Sequence, residues 1–334
     1  MNKQELTENI RSLNREKIKE ILLYKNREQD GLFSAAREVR QNGKFGNNTE
    51  LRSVIEISNI CAQKCRYCGM GKNGKKIYTL SNDVIIERVT NLAKMGRRTF
   101  LLQSGENPSQ KFVEDIAYCC KEVLKAFPDI KIILCMGNLE REQYKLLKES
   151  GATRYILKFE TSDSEHHKKV RPTDSIEHRL ECIQNLIDLG FQTGSGNIVG
   201  LPYQTPDNLV DDLELVSKLN LSMVSATKFI PNEFSDFKDF PAGDIDITLN
   251  FLAILRILKP DCLIPSTTSL STGHTDGQKR GLEAGCNTVT IHDGTPKELE
   301  QSYSIYSEKR FSPGEEFCRK IVLDSGMIPQ PFLI

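Results

Sequence analysis

The chain has 334 residues, with 45 lysines and arginines balanced by 45 aspartates and glutamates, so it offers no net field for nucleic acid or an anionic membrane. Its N-terminus is charged throughout and lacks the apolar core of a secretory signal, and no run reaches the ~20 apolar residues of a membrane span. Ten cysteines scattered along so long a chain read as reduced thiols in the cytoplasm.

Residues 3–24 set Ile10, Leu13, Ile18, Ile21 and Leu22 at helical spacing, and 32–39 predicts a second short helix. Together they form an N-terminal extension over 1–48 that would cap a barrel, with 43–48 breaking the pattern. From there strand-like runs at 54–57, 99–103, 131–135, 154–157, 193–199, 223–229, 263–266 and 288–291 alternate with helical patterns. The helices are predicted over 82–95, 110–126, 140–149, 175–189, 206–219, 247–258 and 276–284. A strand–helix alternation repeated this often predicts a parallel (β/α)8 barrel over 49–295. Residues 296–334 add one more helix (314–325) and a Pro-containing tail.

The first strand runs directly into Cys61-Ala62-Gln63-Lys64-Cys65-Arg66-Tyr67-Cys68, a C-x3-C-x2-C loop. Three thiolates this close suit three irons of a cubane cluster and leave a fourth iron open. A structural zinc site normally uses four ligands, and no Cys or His follows Cys68 until Cys119. In a parallel barrel, chemistry collects on the loops that leave the C-terminal strand ends. There the sequence places Gly105-Glu106 after the second strand, Glu160 after the fourth, and Gly200 after the fifth. These loops set two carboxylates, Glu106 and Glu160, at the rim, with Arg171 and Arg179 following as guanidiniums able to make planar bidentate pairs.

Two nucleotide-binding patterns fail on inspection. The glycines at 194, 196 and 200 miss G-x-G-x-x-G by one position. Gly69 to Lys76 resembles a phosphate loop but has Lys76 where a hydroxyl must meet Mg²⁺, so this stretch reads as a hydrated lid beside the cysteines. His166-His167 reads as a solvated helical face, and His274 and His292 as weak substrate contacts. Cys119, Cys120, Cys182, Cys262 and Cys286 read as small core hydrophobes.

With the aromatic Tyr67 just before its last cysteine, the loop resembles the cluster motif of the radical S-adenosylmethionine (SAM) superfamily. The segments IEISNICAQKCRYCGM, FLLQSGENP, RYILKFETSDSEHHKKVRP, TGSGNIVGLPYQTPDNLVDDL, KFIPN and IPSTTSL extend the likeness to the biotin-synthase-like branch. Within it the chain resembles most the HydE-type [FeFe]-hydrogenase maturases, with biotin synthases and methylornithine synthases as relatives.

The resemblance implies a [4Fe-4S] cluster on Cys61, Cys65 and Cys68. It implies SAM against Tyr67, Gly105, Glu106, Glu160, Arg179 and Gly200, and a 5′-deoxyadenosyl radical acting on a small molecule inside the barrel. It also implies a reducing partner such as flavodoxin or ferredoxin. Of the positions that ligate a sulfur-donating cluster in biotin synthase, only Cys135 keeps a thiol, and only Cys318 stands where some maturases carry a second cluster. Sulfur insertion, methylornithine-type rearrangement and, from another class, a non-catalytic iron or metal carrier are the competing expectations.

Overall fold

The computed structural model describes residues 1–70, 76–303, 305 and 311–333. Its centre is a parallel sheet of β1 (Asn48–Ser58), β2 (Thr99–Ser104), β3 (Lys131–Cys135), β4 (Arg154–Ile156), β5 (Gln192–Val199), β6 (Met223–Lys228) and β7 (Thr288–Ile291). Spatial order is β6-β5-β4-β3-β2-β1-β7, each strand beside its sequence neighbour until β7 returns to β1. β2 and β3 carry the apolar runs Phe100-Leu101-Leu102 and Ile132-Ile133-Leu134, buried on both faces because helices cover the outside of the sheet. Val54, Leu101 and Ile133 form one interior layer, with Cys135 and Ile156 against it.

The strand expected over 263–266 is present only as two isolated parallel bridges, Met223 to Leu263 and Pro265 to Thr288. Pro265 has no N–H to give, so a regular ladder cannot run through it. Val224 N–H still reaches Leu263 O at 3.0 Å, and Ser266 N–H reaches Thr288 O at 2.9 Å. These bonds join β6 to β7 and close the ring as a (β/α)8 barrel.

The N-terminal residues form three helices, α1 (Lys3–Arg11), α2 (Arg15–Leu22) and α3 (Asn26–Asn42). The single helix expected over 3–24 breaks at Leu13, which takes φ +54°, and Asn14 then caps α2 through Lys17 N–H. These helices do not cap an end of the barrel. They lie on its flank over α10 (Ile245–Leu258), whose residues from Thr248 through Ile257 are all buried. A helix apolar nearly all round must be covered on both sides, and α3 on one side and β6 on the other do this.

The remaining outer helices are α4 (Asn82–Lys94), α5 (Gln110–Ala126), α6 (Arg141–Glu149), α7 (Ser164–Val170), α8 (Ile176–Asp188), α9 (Pro206–Lys218), α11 (Gly277–Glu283) and α12 (Glu315–Asp324).

The tail holds a strand that the sequence reading missed. β8 (Ile328–Gln330) pairs in parallel with Asn48–Glu50 of β1, below the point where the β2 ladder begins at Ser53. Leu333 then packs with Met223 and Leu263 under the barrel, against Phe45 and Ile156. Beside it Glu50, fully buried, accepts from Arg52 Nε at 2.6 Å, from Arg154 Nη1 at 2.9 Å and from Leu333 N–H at 2.7 Å. Burial alone would raise the Glu50 carboxyl, and the two guanidiniums overcome it and hold the group below its ordinary value.

Candidate active site

At the opposite end of the barrel the cysteine loop is braced from three sides. Asn59 Nδ2 donates to Lys76 O at 2.8 Å and to Ser302 O at 2.9 Å, while Arg66 N–H donates to Val170 O at 2.9 Å. Phe237 N–H donates to Arg66 O at 3.2 Å, and Arg66 Nε lies 3.2 Å from Asp236. Gly105 presses directly on the loop: a Cβ there would sit 2.3 Å from Ile60 O and 2.8 Å from Cys61 Cβ.

Each of the three sulfurs receives a different donor. Glu106 N–H points to Cys61 Sγ at 3.3 Å, Arg171 Nη1 to Cys65 Sγ at 3.2 Å, and Met70 N–H to Cys68 Sγ at 3.4 Å. Among the described residues no group of three His, Cys, Asp or Glu side chains is placed to hold a single metal ion. Burial raises the Cys65 thiol, with Arg171 working against it.

Behind the loop Glu106 anchors an arginine pair. Its Oε2 accepts from Asn138 N–H at 2.9 Å and lies 3.4 Å from Arg179 and 3.8 Å from Arg171, while Gln63 binds its Oε1. Gly137, at φ +81°, makes room, since a Cβ there would lie 2.4 Å from Glu106 Cγ. Asp174 binds Arg171 Nη2 at 3.0 Å and His178 Nδ1 at 2.9 Å. Burial opposes the Asp174 charge, but these partners and Arg179 lower its carboxyl to about 2.

A cavity of about 290 Å³ opens beside the loop and runs down the barrel axis. Tyr67 and Cys68 line its mouth, Glu160 and Arg179 its wall, and Arg52 its floor. Glu160 holds φ +68°, bridged to Asn197 and paired with Lys158 Nζ at 2.9 Å. Asp212 stabilises this turn from below, accepting from Ser162 N–H at 2.7 Å and from Asn197 Nδ2 at 2.7 Å.

Of the residues expected to hold the cluster and SAM, Tyr67, Cys68, Glu160 and Arg179 therefore meet in the cavity, and Cys135 lines it too. Gly105 and Glu106 support it from behind. Gly200 belongs to a tight turn at φ +87°, where a Cβ would lie 2.4 Å from Gly243 Cα, and its N–H donates to Gln204. His292 lines the cavity, whereas His274 is exposed. Of the predicted lid, Gly69 to Lys76, residues 71–75 lie outside the described residues.

His166 and His167 are buried, contrary to the solvated face expected of them, because α7 lays both inward. His166 bridges Thr161 Oγ1 and Pro202 O at 2.9 Å each. His167 has no hydrogen-bond partner for either ring nitrogen among the described residues, and burial lowers its ring to about 4.

A family model described as "Radical SAM superfamily" matches residues 55–216. The [FeFe] hydrogenase maturase subunit HydE of Thermotoga maritima is 37% identical over 304 residues, covering 90% of this chain and 85% of that protein. The chain belongs to the radical SAM superfamily. A biotin synthase of Thermotoga petrophila is 26% identical, covering 82% of this chain and 91% of that protein. The crystal structure of methylornithine synthase (PylB) superposes with a TM-score of 0.82 at 25% identity, covering 97% of both chains. This radical SAM protein is an enzyme that uses a [4Fe-4S] cluster and SAM, acts on a small molecule and needs an electron donor. The three-thiol loop fits such a cluster: each sulfur has an N–H or guanidinium donor of the kind that tunes an iron–sulfur centre.

Asn138, Asp174, Asp212 and Gly137 escaped the sequence reading. Asn138 and Gly137 follow the third strand at the C-terminal rim, which was the available signal. Nothing local marks Asp174 or Asp212, since each matters through a partner far along the chain.

Proposed function

We propose that Cys61, Cys65 and Cys68 hold the cluster and that Glu160 and Arg179, with Tyr67 beside them, hold SAM at the cavity mouth. On this reading Glu106, Gly105 and Gly200 act on SAM through the shape and charge of their neighbours. When bound, the cluster supplies the electron that splits SAM to a 5′-deoxyadenosyl radical. The protein's own residues orient SAM, give Cys65 its guanidinium donor and keep water from the chamber. The carrying observation is the loop of three separately hydrogen-bonded thiols at the mouth of a chamber inside the barrel.

The catalytic unit is residues 49–295, flanked by extensions over 1–48 and 296–334. The specific reaction we favour is of the HydE type, run in the cytoplasm on a small molecule, with flavodoxin or ferredoxin as reductant and no nucleic acid or membrane partner. A methylornithine-type rearrangement is the second reading, favoured by the close superposition over the whole chain. Biotin-type sulfur insertion is less suited, since Cys135 is the one thiol besides Cys68 among the described residues lining the chamber. A metal carrier would have no use for the Glu160 and Arg179 wall.

The test is anaerobic reconstitution with iron and sulfide, followed by SAM and dithionite, with 5′-deoxyadenosine and iron both measured. We expect deoxyadenosine from the native chain, and its loss together with about four irons in the Cys61/Cys65/Cys68→Ala triple variant. Bound metal without SAM cleavage would move the carrier reading to the front.

A further inference from the structure

The donors that reach the three sulfurs of the cysteine loop are not alike. Glu106 N–H and Met70 N–H, which point to Cys61 and Cys68, are neutral backbone amides, whereas Cys65 Sγ receives the guanidinium of Arg171 at 3.2 Å. Arg171 is 4% exposed and Cys65 8%, so water screens the charge from the sulfur very little.

The guanidinium is held by its other nitrogen. Nη2 pairs with Asp174 at 3.0 Å and lies 3.8 Å from Glu106. Asp174 is fixed in turn, accepting from Asn138 Nδ2 at 2.9 Å and Ser175 N–H at 3.0 Å, with His178 Nδ1 at 2.9 Å. Tyr67 OH lies 3.5 Å from Arg171 Nη1. The remaining charges nearby have partners of their own: Glu160 is paired with Lys158 at 2.9 Å, and Arg179 lies 3.4 Å from Glu106.

An electron entering a cluster on these thiolates adds negative charge beside Cys65. A cation bonded to that sulfur stabilises the reduced form and raises the potential, and an anion bonded to the cation takes part of the effect back. We infer that Arg171 sets the reduction potential of the cluster through Cys65, and that Asp174 sets how much of its charge reaches the sulfur. This rests on the radical SAM reading above and divides the work of two arginines. Arg179 lines the chamber and faces SAM, whereas Arg171, among the described residues, stands behind the lining and serves the cluster. The step concerned is the uptake of one electron from the enzyme's donor, which is oxidised as the cluster is reduced. No bond forms or breaks, and the guanidinium keeps its protons.

Arg171 and Asp174 touch, so a merely structural role predicts that losing either moves the cluster the same way. The charge reading predicts opposite signs. The experiment is a redox titration of the full chain, reconstituted anaerobically with iron and sulfide and poised with dithionite and mediator dyes without SAM, the reduced cluster being counted by EPR. At a fixed potential the ratio of reduced to oxidised cluster should fall about tenfold in R171Q, a midpoint lower by about 59 mV, and stay within about threefold of native in R171K. In D174N, whose remaining oxygen can still accept from Arg171 Nη2, the ratio should rise.

An unchanged ratio in R171Q, a fall in R171K as deep as in R171Q, or shifts of one sign in R171Q and D174N would each overturn the proposal. Should R171Q hold less iron than the native chain, D174N decides alone: a rise supports the proposal and any other result overturns it. SAM affinity by equilibrium dialysis should change less than about threefold in R171Q, and a loss of about tenfold with the potential unchanged would assign Arg171 to SAM and overturn it equally. Iron content and deoxyadenosine formation by the native chain are scored separately, so a failure of the radical reading shows there and not in the titration of the variants.

Discussion

At the scale of single residues, the site depends on close approaches that leave no room for extra atoms. Gly105→Ala would drive a methyl into Ile60 O and Cys61, so the loop must shift, at a cost of about 1–3 kcal/mol. Iron and sulfide content after anaerobic reconstitution should fall well below that of the native chain. His167 makes a prediction of the opposite kind, about pH. Its ring is held at about 4 against 6.5 when unfolded, so between these values the unfolded chain binds more protons. Stability is therefore complete above pH 6.5 and lost as pH falls, by about 2 kcal/mol at pH 5. Urea midpoints at pH 7 and pH 5 should separate less in His167→Leu than in the native chain.

The same residues explain what was legible. The placement of Cys61, Cys65, Cys68 and Glu160 at the rim was readable because each is local to a motif or a strand end. The burial of His166 and His167 was not, because a seven-residue helix rich in charge looks solvated until α7 is seen to turn those two positions inward.

Among elements, α10 is the most telling. Asn250 is a buried amide on an otherwise apolar stretch, and it donates to Leu22 O at 3.0 Å and Tyr24 O at 2.8 Å while accepting from Gln29 at 3.0 Å. Those bonds fasten the turn between α2 and α3 onto the barrel flank. Asn250→Leu should leave the Leu22 and Tyr24 carbonyls without these donors, with Gln29 keeping only Asp246, and cost about 2–4 kcal/mol, read as a lower denaturant midpoint with an unchanged barrel core. The alternation of strands and helices was visible from the sequence because each element repeats its period over many residues. The irregular seventh strand and the three-residue β8 were harder, since Pro265 interrupts one ladder and the other exists only through its pairing with β1. The placement of α1–α3 on the flank was hidden for the same reason: periodicity reports an apolar face but not its partner.

For the whole molecule, the two ends of the barrel are built on different principles. The cysteine end gathers donors around sulfur, whereas the other end buries Glu50 between Arg52 and Arg154. Glu50→Gln would leave two buried guanidiniums facing each other, and breaking such a pair costs about 3–5 kcal/mol. Thermal unfolding should show it as a large drop in midpoint, and Glu50→Asp should recover part of the loss.

The tail that completes this end has a kinetic meaning. Among the described residues Leu333 and the Glu50 cluster fill the barrel below the chamber, so we expect traffic into the chamber to share the doorway at which SAM is proposed to sit. The molecule acted upon must then arrive before SAM and depart after its fragments. Steady-state measurements should give an ordered sequence of addition, with SAM in excess trapping nothing that has not already entered.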